Sequence, residues 1–148
     1  MKLPADVREQ FRRHGRRGGH ERAARIAPAD RRRIGRQAVT TRWLRSRFGV
    51  SRLSQLALPG ADIVDRGLAD LAAGHVTQDS LLVSLAAPRL RREGIPVGTV
   101  EPDPERRLYE LLEQTEGELA HARYTARLRR MASFADACRQ LRSPERHA

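Results

Sequence analysis

Arg31, Arg32, Arg33, Arg36, Arg42, Arg45 and Arg47 follow one another closely, with no Asp or Glu among them. A guanidinium is a planar fork of N–H donors that grips phosphate in a bidentate way and holds its charge throughout the physiological range. A run of them suits phosphate contact, with counterion release as the driving force, the plainer alternative being an ordinary solvated face. Arg16 and Arg17 add to it from the stretch Arg13-His14-Gly15-Arg16-Arg17-Gly18-Gly19-His20. Arg16-Arg17-Gly18-Gly19 resembles a single RGG element, a type that contacts RNA or single strands flexibly. With one copy, a plain basic linker is the simpler assignment.

No other grouping carries chemistry. His14, His20, His75, His121 and His147 contain no His-x₃-His pair, and Cys138 is the only cysteine. A usual zinc site needs more ligands at set spacings, and one cysteine makes no intramolecular disulfide. A nucleophile elbow is absent, as is a Gly-rich phosphate loop after a strand. The expectation is a binding protein, not an enzyme, with no catalytic residue, no metal site and no cofactor.

The basic residues that matter sit at one end. Residues 1–52 hold 16 Lys+Arg against 4 Asp+Glu, net +12, and residues 53–148 hold 13 against 14, net −1. Such asymmetry suits a polyanion at the basic end. Lys2 is the only lysine. A GC-rich genome accounts for Arg over Lys but not for its concentration at one end.

Positioning these side chains calls for helices. Aromatic residues make up 4% of the chain, and the β-branched residues form no run long enough for a strand. Leu, Ile, Val and Ala must then fill the core, which favours packed helices. Pro4 opens a first helix that Gly15 should stop; 15–19 should be a Gly-rich hinge, and 21–27 a short second helix. Pro28, with Asp30 in its first turn, starts a long helix that ends near Phe48 before Gly49. Its apolar residues are Ile34, Ala38, Val39, Trp43, Leu44 and Phe48, so it should bury one stripe and present a very basic outer face. Trp43, the single tryptophan, is better placed as a core anchor than as a base-stacking residue.

Leu53, Leu56 and Leu58 should form a short helix closed by Pro59-Gly60. A helix over Ala61–Ala73 then follows, stopped by Gly74. Thr77 should cap the next one, which Pro88 should kink or interrupt. Asp103-Pro104 is a capping Asp followed by Pro, and Gly117 is a break. Tyr124, Leu128, Met131, Ala135, Cys138 and Leu141 form a heptad-like seam. Packing of that seam within the chain is the simpler expectation, because a neutral region of this size needs its own core; the other is pairing with a second protein. A tail from 142 onward should fray. A helix-turn-helix reader over 52–71 is disfavoured, because Asp62, Asp65 and Asp70 would face phosphates against Arg66 alone.

The segment from 22 to 43 resembles a short Arg/Ala-rich, Arg-Trp-ending segment found in many small uncharacterised bacterial proteins. Arg22, Ala23, Ala24, Ile26, Pro28, Arg31, Ile34, Arg36, Ala38, Arg42 and Trp43 carry the likeness. At Ala29 and Arg33, where the segment often has acidic residues, this chain is more basic. No activity follows from the resemblance.

The sequence thus suggests an all-α protein of bacterial type: a basic helical arm over 1–52 with a hinge at 15–19, and a compact helical domain over 53–148. The expected partner is nucleic acid, DNA or RNA, held at Arg16, Arg17, Arg31, Arg32, Arg33, Arg36, Arg42, Arg45 and Arg47. The role could be regulatory. The alternative is a helical adaptor or antitoxin-like protein with an acidic protein partner. No stretch reaches the roughly 18 apolar residues of a membrane span, and no signal-peptide core precedes the first helix. A cytoplasmic protein without a membrane partner is the simplest expectation.

Overall fold

Helices account for all the regular structure. The computed structural model describes residues 4–142, and among them there is no strand. In chain order come α1 (Ala5–Arg25), α2 (Pro28–Phe48), a 3₁₀ turn (Leu53–Leu56), α3 (Ala61–Ala73), α4 (Gln78–Arg92), α5 (Pro104–Glu116), a second 3₁₀ turn (Gly117–Leu119) and α6 (Ala120–Arg142). The tail expected beyond α6, with His147, lies outside the described residues. The chain divides into two units, Met1–Gly35 and Arg36–Ala148, and the division falls inside α2.

In the first unit, α1 runs unbroken through the expected hinge at 15–19. Each glycine costs up to about 1 kcal/mol relative to Ala in a helix, which is why the sequence argues for a break. None of Gly15, Gly18 and Gly19 takes a positive φ. Two pairs one turn apart, Arg13–Glu9 at 3.6 Å and Arg17–Glu21 at 3.3 Å, and good helix formers on both sides offset part of the glycines' cost. The run ends just before Pro28 instead: a proline disfavours the helical region at the residue before it, here Ala27, and the chain is already extended at the Ile26 cap. No residue of α1 is buried.

In the second unit α3 packs on α4, α4 on α5, and α5 on α6, with α6 returning to α4. The core holds Leu53, Val64, Leu81, Leu82, Val83, Leu90, Ile95, Leu108, Leu112, Phe134 and Cys138, all fully buried. Local chemistry sets the ends of these helices. Gly74, in the left-handed region at φ 76°, stops α3. Thr77 and Ser80 form a reciprocal cap for α4: the Ser80 N–H donates to Thr77 Oγ1 at 3.0 Å, and the Thr77 N–H to Ser80 Oγ at 2.8 Å. Inside α3, Gly67 lets α4 approach: a Cβ there would stand 2.5 Å from the Asp79 carbonyl oxygen.

Several expectations change. Helix α4 continues through Pro88 to Arg92, held by the buried Ala87 and Leu90 on either side. Asp103 precedes α5 in a left-handed conformation, φ 45°, and its side chain makes no capping bond; Pro104 sets the start instead. Of the α6 seam, Met131, Ala135 and Cys138 are buried, Tyr124 and Leu128 are half-buried, and Leu141 is exposed. The seam faces α5 and α4, so it is not a surface left open for a second protein. Phe134, outside the seam's register, is the largest fully buried side chain.

The apolar residues of α2 do not form one stripe. Leu44 is buried, and Trp43 and Phe48 are half-buried against the core, edge to face at 5.5 Å. Val39 is 62% exposed, and Ile34 46%. Val39 and Phe48 are nine residues apart, which at 3.6 per turn puts them on opposite sides of a helix.

Leu44 also moves the domain boundary. The compact unit begins at Arg36, not at 53, because the second half of α2 completes its core. A fragment of residues 53–148 lacks Leu44, Trp43 and Phe48. It should be less stable than residues 36–148 by about 3 kcal/mol or more, the cost of losing a buried leucine with neighbours. Urea unfolding followed by circular dichroism measures the difference. Equal stabilities would show that α2 contributes nothing to the core.

Candidate nucleic-acid interface

The arginines of α2 are set by helical spacing. Within the second unit Arg36, Trp43 and Arg47 lie at i, i+7 and i+11, on one side of the helix. Arg42 and Arg45, three apart, occupy another. All four arginines are exposed. Arg45 donates from Nε to Ser51 Oγ at 3.1 Å. Arg36, Arg42 and Arg47 make no ion pair and no side-chain hydrogen bond among the described residues. Arg45 and Arg47 also sit in the last turn, where the helix dipole favours positive charge. That effect accounts for two of the four at most.

Within the first unit, Arg16, Arg31 and Arg32 are exposed and unpaired among the described residues. Arg17 pairs with Glu21 and Arg33 with Asp30, the latter at 3.2 Å. Neither of these two is as available as its unpaired neighbours. The continuity of α1 adds residues that a hinge at 15–19 hides: Arg8, Arg12 and Arg16 stand at i, i+4 and i+8. Arg8, Arg12, Arg22 and Arg25 are exposed and without ion pairs among the described residues. The four-residue spacing was the available signal.

Beyond residue 52 the arginines behave differently. Arg66 lies 2.7 Å from Asp79 and 3.2 Å from Asp62, and its hydrogen bond to Asp79 pushes its pKa further up. Arg127 also meets Asp79, at 3.1 Å, and Arg130 meets Asp62 at 3.5 Å. Arg89 pairs with Asp136, Arg106 with Glu110, Arg107 with Glu101, Arg123 with Glu116, and Arg139 with Glu93. Exposed pairs contribute little stability, about 0–1 kcal/mol each. Their consequence is local neutralisation: most of the described arginines of this region are matched by its own carboxylates, while Arg91 donates to the Val97 and Gly98 carbonyls and Arg129 has no ion pair among the described residues.

The acidic residues of α3 have internal tasks. Asp65 accepts from the backbone N–H groups of Leu53 and Ser54, at 2.9 and 2.8 Å, and holds the 3₁₀ turn. Asp70 accepts from the Thr77 hydroxyl at 2.6 Å. A cleft of ≈ 520 Å³ opens between the second half of α2 and α3, with Gln37, Thr41, Arg52, Asp62, Asp65 and Arg66 among its lining. Asp62 there pairs with Arg66 and Arg130, Arg66 also with Asp79, and Asp65 holds the 3₁₀ turn, leaving no convergent set aimed at a ligand.

No family model, curated protein or solved structure matches this chain. Among the described residues no group of three or more His, Cys, Asp or Glu is placed to hold a metal ion. Among the described residues no helix is long and apolar enough to cross a membrane. The segment 22–43 lies over the end of α1 and most of α2, with Pro28 opening α2 and Trp43 half-buried near Phe48.

Proposed function

We propose that this protein binds nucleic acid through its phosphates, using the exposed arginines of α1 and α2, with little base readout and in a regulatory role. One observation supports the reading most: arginines beyond residue 52 are largely matched by carboxylates, whereas Arg31, Arg32, Arg36, Arg42 and Arg47 have none among the described residues. Unmatched like charge on one stretch of chain is a standing repulsion that a polyanion relieves. A cytoplasmic location belongs to the same reading.

The test is affinity for a short duplex measured against salt. Neutralising about six phosphates gives a log–log slope of about −5. Affinity that barely moves between low and moderate salt would count against phosphate contact.

A helical adaptor or antitoxin-like protein with an acidic partner is the second reading. Phe11, 68% exposed, and Val39 favour it, since each stands among arginines and offers an apolar anchor beside charge. The buried seam of α6 no longer contributes to that reading.

A further inference from the structure

We infer that Phe11 on α1 is a stacking site for an unpaired base, so that α1 takes a single-stranded nucleic acid; the inference rests on the nucleic-acid reading above. Charge divides α1 into two sides. At about 100° per residue, Asp6, Glu9 and Glu21 fall on one side with Arg13 and Arg17, which pair with the two glutamates. Arg8, Arg12, Arg16, Arg22 and Arg25 fall on the other, all exposed and without ion pairs among the described residues. Polyanion contact by α1 therefore belongs to that one side, and Phe11 stands on it. Its ring is 68% exposed, more than any other large apolar side chain among the described residues. It is also the only Phe, Tyr or Trp before Trp43.

A lone exposed apolar residue is ordinary on a surface; its surroundings distinguish this one. Arg8 and Arg12 flank the ring at i−3 and i+1. Gly15, Gly18 and Gly19 follow on the same side, about 6–12 Å further along the axis. A Cβ built on any of them would meet nothing within 4 Å. The ring thus has cations beside it and a stretch free of side chains ahead of it, which leaves room for a flat group against the helix. A protein groove reads an amphipathic helix through apolar anchors at i, i+3, i+4 and i+7. After Phe11 those positions are His14, Gly15 and Gly18, which leaves Val7, one turn before, as the only other apolar anchor near it. A base needs one ring only: every base has a π-face, and an aromatic side chain among basic ones is the usual platform for a single strand. In a duplex the bases stack on one another, and a side chain that meets the backbone from outside touches sugar and phosphate. An unpaired strand offers base and phosphate together.

The test uses the full chain and fluorescence anisotropy. The probes are a single strand of thymidines, an abasic strand with the same number of phosphates, and the thymidine strand annealed to its complement. Phe11→Ala should weaken binding to the thymidine strand about tenfold, as expected for one lost stacked base, and leave the abasic strand and the duplex nearly unchanged. Its salt slope should equal that of the parent, because no phosphate contact is lost. Phe11→Leu, apolar but without a π-face, should behave like Phe11→Ala, and Phe11→Trp should bind at least as tightly as the parent. Thermal melts of all three variants should match that of the parent, because no residue of α1 is buried. A Phe11→Ala variant with parental affinity for the thymidine strand would overturn the stacking site while leaving phosphate contact standing. So would an equal loss on all three probes, or full affinity in Phe11→Leu. No binding of the parent to any probe would remove both readings together.

Discussion

Duplex affinity should fall about a hundredfold near physiological salt when Arg36, Arg42 and Arg47 are all replaced by Gln. Each lost phosphate contact removes about 0.9 from the log–log salt slope, so three lost contacts make the slope shallower by nearly three units. The loss should be the same for unrelated sequences, since phosphates carry no sequence information. Gln keeps most of the helix propensity of Arg. None of the three side chains has a partner among the described residues, so folding stability should hardly change. A matched variant with Arg89, Arg106 and Arg123 replaced by Gln serves as the control: all three arginines are paired internally, with Asp136, Glu110 and Glu116. Its affinity should stay within about twofold of the parent, because little of its charge is available to phosphate. Equal losses in the two variants would mean that net charge alone drives binding and that α2 is not the contact surface.

Phe134→Ala should have the largest effect on stability. Its ring is fully buried in α6, within the core that α4 and α5 share with it. Truncation of a buried phenylalanine costs about 3–5 kcal/mol, lost transfer energy plus the cavity left behind. Chemical denaturation reads this as a lower midpoint with an unchanged slope. Trp43→Ala should cost less, because Trp43 is only half-buried and leans on Phe48 from the edge of the core. If the Trp43 variant were the less stable of the two, α2 would be as integral to the core as α6.

What the sequence made legible was what local chemistry decides. The helix starts at Pro28, Thr77 and Pro104 and the stops at Gly49, Gly74 and Gly117 follow from fixed φ, missing N–H groups, a side-chain cap and glycines at positive φ. The all-helical class followed from scattered β-branched residues. What was hidden depends on longer range or on sums of small terms. Glycine statistics argue for a hinge at 15–19, yet α1 is continuous, and the ion pairs beside the glycines, a few tenths of a kcal/mol each, offset only part of their cost. The boundary at 52 was misplaced because Leu44 belongs to the core through contacts distant in sequence. A four-three repeat selected Met131 and Ala135 but passed over Phe134 between them.

The candidate interface was similarly half legible. Its arginines are plain from composition. Which of them remain unmatched depends on acids three or four residues away, such as Glu21 for Arg17 and Asp30 for Arg33. That spacing could be read in the sequence. The matching of Arg66, Arg89 and Arg127 across helices could not, since each partner arrives from another element.

Purification of the full chain at low salt, with and without nuclease, tests the central claim most directly. The untreated protein should elute with nucleic acid bound, its absorbance ratio at 260 to 280 nm well above that of the nuclease-treated sample, and high salt should strip the excess. An untreated sample with the same ratio as the treated one at low salt would contradict phosphate binding by the arginines of α1 and α2.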